Sequence, residues 1–125
     1  NHPKVVFIPR TNARFLTPDI FQEPPELAAI DVSFISLELI LGPVFNSISR
    51  SGQLIALIKP QFELEPRDLK RGIVRDDGLR LKAVEELRKF VSEELKGFSE
   101  AGLTESPIKG AKGNIEYLWH LKKVE

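Results

Sequence analysis

The apolar positions of this chain fall into short continuous runs and two stretches of helical spacing. Val5, Val6, Phe7 and Ile8 form the first run, closed by Pro9, and predict a strand followed by a loop over residues 10–14. Pro18, Pro24 and Pro25, interleaved with Asp19, Glu23 and Glu26, mark residues 17–26 as an exposed connector. Leu27-Ala28-Ala29-Ile30 then runs apolar without alternation into Asp31, the pattern of a strand covered on both faces in a parallel sheet. From Ser36, a suitable N-cap, Leu37, Ile40, Leu41, Val44, Phe45 and Ile48 recur at helical spacing, with Pro43 expected to kink or split the helix. Ser51-Gly52 ends it, and residues 54–58 read as a second buried strand stopped by Lys59-Pro60. A right-handed βαβ crossover is therefore expected over residues 27–60.

Residues 61–77 lack a clear period and mix acids with Arg67, Lys70, Arg71 and Arg75, which predicts a long charged loop. Asp76 or Asp77 caps a second helix whose stripe is Leu79, Ala83, Val84, Leu87, Phe90, Val91 and Leu95, with Gly97 as the residue that ends it. Two further strands, over 103–108 and 115–124, flank the glycine-rich loop and are expected to be antiparallel. The fold class is α/β, one domain over residues 1–125.

Composition narrows the chemistry. Eighteen Lys and Arg balance eighteen Asp and Glu, so affinity for nucleic acid has to come from local patches or from another domain. With no cysteine and only His2 and His120, a thiolate or histidine metal site is not expected, and His120 reads as an ordinary packed or surface residue. No apolar run approaches the ~20 residues that span a bilayer, which points to a protein of the cytoplasm. The chain has no methionine at all, and a fragment or processed product is the expectation.

Ligands of open α/β sheets bind beyond the carboxyl ends of the parallel strands. Asp31 and Lys59 both stand at such ends, and neighbouring strands only ~4.8 Å apart let their side chains meet. If the last strand runs against the others, its start lies on the same rim, which brings Glu116 there provided that strand lies beside the one ending at Lys59. Taken singly, each charge is more commonly a rim ion pair or an outward strand residue. The surrounding residues alter that balance. Asp31-Val32-Ser33-Phe34-Ile35-Ser36, Lys59-Pro60-Gln61-Phe62-Glu63 and Gly113-Asn114-Ile115-Glu116-Tyr117 resemble, in order and spacing, motifs of the hemolysin A type (TlyA) ribosomal RNA 2′-O-methyltransferases, relatives of the FtsJ-like enzymes.

The resemblance implies a Rossmann-like methyltransferase sheet, mainly parallel with an antiparallel last strand, here truncated. It implies S-adenosylmethionine as cofactor, ribosomal RNA or a ribosomal subunit as partner, and Asp31, Lys59 and Glu116 as catalytic residues. Lys59 would take the ribose hydroxyl proton, while Asp31 and Glu116 orient that hydroxyl. Asn12, Asp31 and Ser33 are the implied cofactor contacts; the segment 10–14 matches the family except that Pro9 stands where glutamate is usual. Arg67, Lys70, Arg71, Arg75, Lys109 and Lys112 are either a solvated charged surface or RNA phosphate contacts. Phe34 and Phe62 read as core or rim packing, and Trp119 as sheet-face packing.

Absent from these 125 residues are the family's N-terminal RNA-binding domain, its glycine-rich cofactor loop and the lysine ahead of that loop. Weak cofactor binding or none is thus expected of this chain alone. A degenerate non-enzymatic RNA-associated module and a membrane-lytic hemolysin are the competing classes; neutral net charge and the lack of a basic amphipathic helix argue against the latter. In the family's strand order the segment 5–8 loses its neighbours, so it is expected either to pair beside the Leu27 strand or to pair with a second copy in a homodimer.

Overall fold

Strands β1 (Leu27–Ile30) and β2 (Gln53–Ile58) run parallel, from Leu27 beside Gln53 to Ile30 beside Ala56, in a computed structural model that describes residues 3–124. The last strand in sequence, β4 (Tyr117–Lys123), is inserted antiparallel between β2 and β3 (Phe98–Glu105), giving the order β1-β2-β4-β3. Three strands thus share one direction and the last opposes them, the mixed α/β sheet that the sequence predicts. A bulge between Glu100 and Gly102 shifts the β3–β4 register.

Two helices cover one face. Ser36 caps a 3-10 turn (Leu37–Leu39), and helix α1 (Leu41–Ser47) follows. Pro43 falls in the first turn of α1, where no helical amide bond is lost, so the proline splits the helical segment rather than kinking it. Lys123 Nζ donates to the carbonyls of Phe45 (2.6 Å) and Ile48 (3.1 Å) and so satisfies the carbonyl end of α1. Helix α2 (Asp77–Glu94) begins at Asp76, whose Oδ1 accepts from the Gly78 amide at 2.7 Å. Leu41, Val44, Val84, Leu87 and Val91 of these helices pack against Leu54, Ala56, Ile58, Trp119 and Leu121 of the sheet. Each of the Val, Leu and Ile side chains contributes about 1.5–3 kcal/mol by leaving water. Trp119 is fully buried, and its Nε1 donates to Glu100 Oε1 (2.7 Å); the same carboxylate receives the two-pronged guanidinium of Arg88.

Several expectations are corrected. Residues 5–8 form no strand; they are exposed and pair neither with β1 nor with any other strand among the described residues. The run is apolar enough for a strand, but propensity alone does not hold an extended segment that pairs with no neighbour. β1 is not covered on both faces: it is an edge strand, and Leu27 is 63% exposed. β3 begins at Phe98, five residues earlier than the apolar pattern suggests, because its polar residues face solvent. Residues 61–77 are ordered: two 3-10 turns (Pro60–Phe62 and Pro66–Asp68) are followed by a tight turn at Arg71 (φ 54°) and Gly72 (φ 79°), closed by reciprocal Lys70–Ile73 bonds of 2.9 and 3.0 Å.

Gly97 lies beyond the end of α2 and is not left-handed; its role is close packing. A Cβ there would stand 2.5 Å from Phe45 Cζ, and that ring is held edge-on to Phe98 at 4.6 Å. Gly97→Ala is expected to lower the free energy of unfolding by about 1–3 kcal/mol through overpacking, read from the urea midpoint at constant m. An unchanged midpoint would mean that Phe45 moves aside freely.

Candidate active site

The pairing of β2 with β4 ends at Ile58 beside Tyr117, so Lys59 and Glu116 are the next residues on either side of the same sheet end. Asp31 follows β1 at that end. A cleft of about 650 Å³ opens there, lined by Asp31, Ser33, Phe34, Lys59, Gln61 and Glu116 together with the loop 106–111. The acid, the amine and the second acid therefore converge on one rim. Lys59 Nζ lies 2.5 Å from Asp31 Oδ1 and donates to Ser33 Oγ at 3.0 Å. The lysine is nearly covered while the Asp31 side chain is 71% exposed, so the pair is an open one, and solvent screens much of its attraction.

Glu116 is placed differently. It is 4% exposed, and its Oε2 accepts from Gln61 Nε2 at 2.8 Å. The glycine-rich loop lies directly over it: a Cβ on Gly110 would come 1.9 Å from Glu116 Oε2, so only glycine permits that approach. Asn114, also buried, fixes the loop. Its Oδ1 accepts from the Val74 amide (3.0 Å), and its Nδ2 donates to the carbonyls of Gly72 (2.9 Å) and Ala111 (3.1 Å). Lys112, left-handed at φ 59°, donates from Nζ to the Arg71 carbonyl at 2.9 Å. The loop bearing Glu116 and the charged loop after β2 are thus tied side by side.

The remaining sequence-predicted residues are more dispersed. Asn12 caps a 3-10 turn (Ala13–Phe15) by accepting from the Arg14 amide at 3.0 Å and does not line the cleft. Its neighbours Ala13 and Leu16 line a second, apolar groove of about 360 Å³ along β1, which Asp31 closes at one end. Arg67, Lys70 and Arg75 surround a separate hollow that also holds Asp68 and Asp76, and Arg67 pairs with Glu65 at 3.0 Å. Lys109 lines the main cleft. Of the two placements expected for Phe34, core or rim, it takes the rim: it is 88% exposed at the cleft mouth, left-handed at φ 63°, with its ring 4.8 Å from that of Phe62.

Sequence reasoning missed Gln61, Glu63 and Arg80. Gln61 and Glu63 stand inside a quoted motif, but nothing about an amide or a second acid there announces a buried partner. Glu63 accepts from Ser36 Oγ (2.6 Å) and the Leu37 amide (2.9 Å), joining the turn after β2 to the start of the segment that leads into α1. Arg80 is buried in α2, donating to the Val74 carbonyl at 2.7 Å and pairing with Asp77.

Burial raises the pKa of Glu63 above its ordinary value of 4.5, the two hydrogen bonds opposing and the nearby acids Glu38 and Glu86 adding to the rise. A carboxyl raised in the folded state contributes stability below its unfolded value and loses that contribution as pH climbs through the raised one. The stability of wild type relative to Glu63→Gln is therefore expected to fall as pH rises above the ordinary value of 4.5, measured by urea unfolding at each pH. A constant difference above that pH would contradict it.

Comparison with known proteins then places the chain. The family model described as FtsJ-like methyltransferase matches residues 1–123. A Bacillus subtilis protein named "Putative rRNA methyltransferase YqxC" is 46% identical over 120 residues, covering 94% of this chain and 42% of that protein. The 16S/23S rRNA (cytidine-2′-O)-methyltransferase TlyA of Mycobacterium tuberculosis is 38% identical over 121 residues, covering 95% and 44%. A crystal structure described as a putative hemolysin from Lactococcus lactis superposes with a TM-score of 0.92 at 42% identity, covering 98% of this chain and 58% of that one. The chain spans less than half the length of these two curated relatives.

Proposed function

Because the chain belongs to the FtsJ-like methyltransferase family, we propose that it forms the acceptor side of an S-adenosylmethionine-dependent rRNA 2′-O-methyltransferase. The observation that carries this reading is the cleft in which Asp31, Lys59 and Glu116 meet at one sheet end. These 125 residues are part of a catalytic domain on this reading, and turnover requires the glycine-rich cofactor loop that they do not contain.

The residues present fit a sulfonium cofactor in part. Asp31, exposed where the cleft adjoins the apolar groove of Ala13, Leu16 and Val32, offers a carboxylate to an amine or hydroxyl beside apolar surface. Ser33 holds Lys59 rather than standing free, and Asn12 is committed to its turn. S-adenosylmethionine supplies a methyl group on a positively charged sulfur when bound. This chain's own residues then handle the acceptor: Glu116, immobilised by Gln61, orients the ribose hydroxyl, and Lys59, held by Asp31 and Ser33, would take the hydroxyl proton as a neutral amine, its own ammonium proton having first gone to solvent.

The exposed Phe34 ring at the mouth offers a stacking surface to a splayed-out base, and Lys109 with the basic residues of the 66–75 loop offers contacts to phosphates. Ribosomal RNA in the cytoplasm is the substrate on this reading. Among the described residues no helix is long and apolar enough to cross a membrane, and nothing in the site favours a lytic role.

Methyl transfer from tritiated S-adenosylmethionine to ribosomal subunits, assayed on the full-length gene product, is expected to fall at least ~100-fold in Lys59→Ala. Phe34→Ala is expected to raise the KM for RNA roughly 5- to 100-fold, the loss of one stacked base. Full activity in Lys59→Ala would defeat the proposal. Isothermal titration of the 125-residue chain is expected to show no low-micromolar binding of S-adenosylhomocysteine; such binding would show that these residues suffice for the cofactor.

A further inference from the structure

Lys59 and Glu116 face one cleft yet have separate partners, and the difference between those partners carries chemical information. Lys59 is held by a carboxylate and a hydroxyl. Glu116 is held by an uncharged amide, and no ion pair among the described residues includes it. A buried carboxylate requires hydrogen-bond donors, and here the side-chain donor is Gln61 Nε2. The amide's orientation follows from its chemistry, since the reversed amide would set two acceptors against each other.

The geometry points to Gln61 as the residue that positions Glu116, an inference that rests on the reading of Glu116 as the carboxylate that orients the acceptor hydroxyl. Gln61 sits on the 3-10 turn that starts immediately after Lys59, so one short segment delivers both the amine and the amide. It is itself buried, and its Oε1 has no hydrogen-bond partner among the described residues, so the bond from Nε2 to Glu116 is what orients the amide. On the other side of the carboxyl group stands the Gly110 backbone, where a Cβ would lie 1.9 Å from Oε2 and 2.9 Å from Oε1. Oε2 is therefore clamped between an amide and a main chain, and Oε1 is the oxygen left to a ligand.

A neutral donor suits this task better than a cation would. It holds the carboxylate without neutralising it, and it leaves the ammonium of Lys59 on Asp31 and Ser33 instead of drawing it across the cleft. Loss of the amide frees Glu116 to rotate, and a misaligned orienting group slows the chemical step more than it weakens binding.

The test uses the full-length gene product, tritiated S-adenosylmethionine and ribosomal subunits. Gln61→Leu keeps the bulk and removes the donor; kcat is expected to fall about 10- to 100-fold with both KM values within about 2-fold of wild type. Gln61→Glu is isosteric and sets a carboxyl group against Glu116, so a donor to Glu116 exists only while the pair holds a proton. Its activity is expected to be low at pH 7.5 and to recover relative to wild type toward about pH 5.5, a profile that a purely structural role would not produce. Circular dichroism checks the fold, and if Gln61→Leu does not fold, the pH profile of Gln61→Glu decides. Wild-type kcat in the folded variants, or a rise in KM alone, overturns the inference. Full activity in Glu116→Ala and Lys59→Ala would instead refute the reading of the site; loss of activity there with indifferent Gln61 variants refutes only the role of Gln61.

Discussion

The antiparallel insertion of β4 between β2 and β3 is the constraint on which the rest depends. β2 and β3 do not touch each other, and β4 alone joins them. Because β4 runs against β2, its first residue lies at the end where β2 stops, and the glycine-rich loop that precedes it is laid across the carboxyl ends of β1 and β2. A parallel last strand would deliver Glu116 to the far end of the sheet. The core enforces the same choice: Trp119 and Leu121 fill the face under α1 and α2 only in the register that pairs Ala56 with Trp119, and a slip by one residue would turn them to solvent.

Within that frame the cleft is built as two half-sites of opposite character. The Asp31–Lys59–Ser33 group is charged and opens to solvent through Asp31; the Glu116–Gln61–Gly110 group is covered and uncharged apart from its one carboxyl. The anchoring of the second group reaches well beyond the cleft. Asn114 spans some 40 residues of sequence to hold Val74 and Gly72, Lys112 grips the Arg71 carbonyl, and Arg80 of α2 fastens the Val74 carbonyl from behind. The loop that carries Glu116 is thus anchored through its neighbour to the longest helix of the fold.

Much of this was legible in the chain. The helical stripe from Leu79 to Leu95, the apolar runs of β1 and β2, and charged residues at strand ends all carry strong local signals. Glycine and asparagine at 110–114 announce a tight loop. Other features had no such signature. The strand expected at residues 5–8 failed because a strand is a relation between two segments, and apolarity describes only one. The start of β3 was hidden by polar residues whose side of the sheet faces water. Gln61 carries no charge, and its importance exists only once β4 brings Glu116 against it across 55 residues of chain. Core and rim are equally open to Phe34 in the sequence; the left-handed backbone that throws its ring outward has no mark in composition or spacing.

That backbone carries a thermodynamic debt. A bulky side chain at φ 63° sits in a region that L-residues avoid, at a penalty on the order of 1–3 kcal/mol, and its exposed ring recovers only the contact with Phe62. Random mutagenesis screened for heat resistance alone would reward glycine or asparagine at this position. The same screen coupled to turnover would retain the aromatic, so that the two selections, applied to one library, separate what the fold prefers from what the cleft demands.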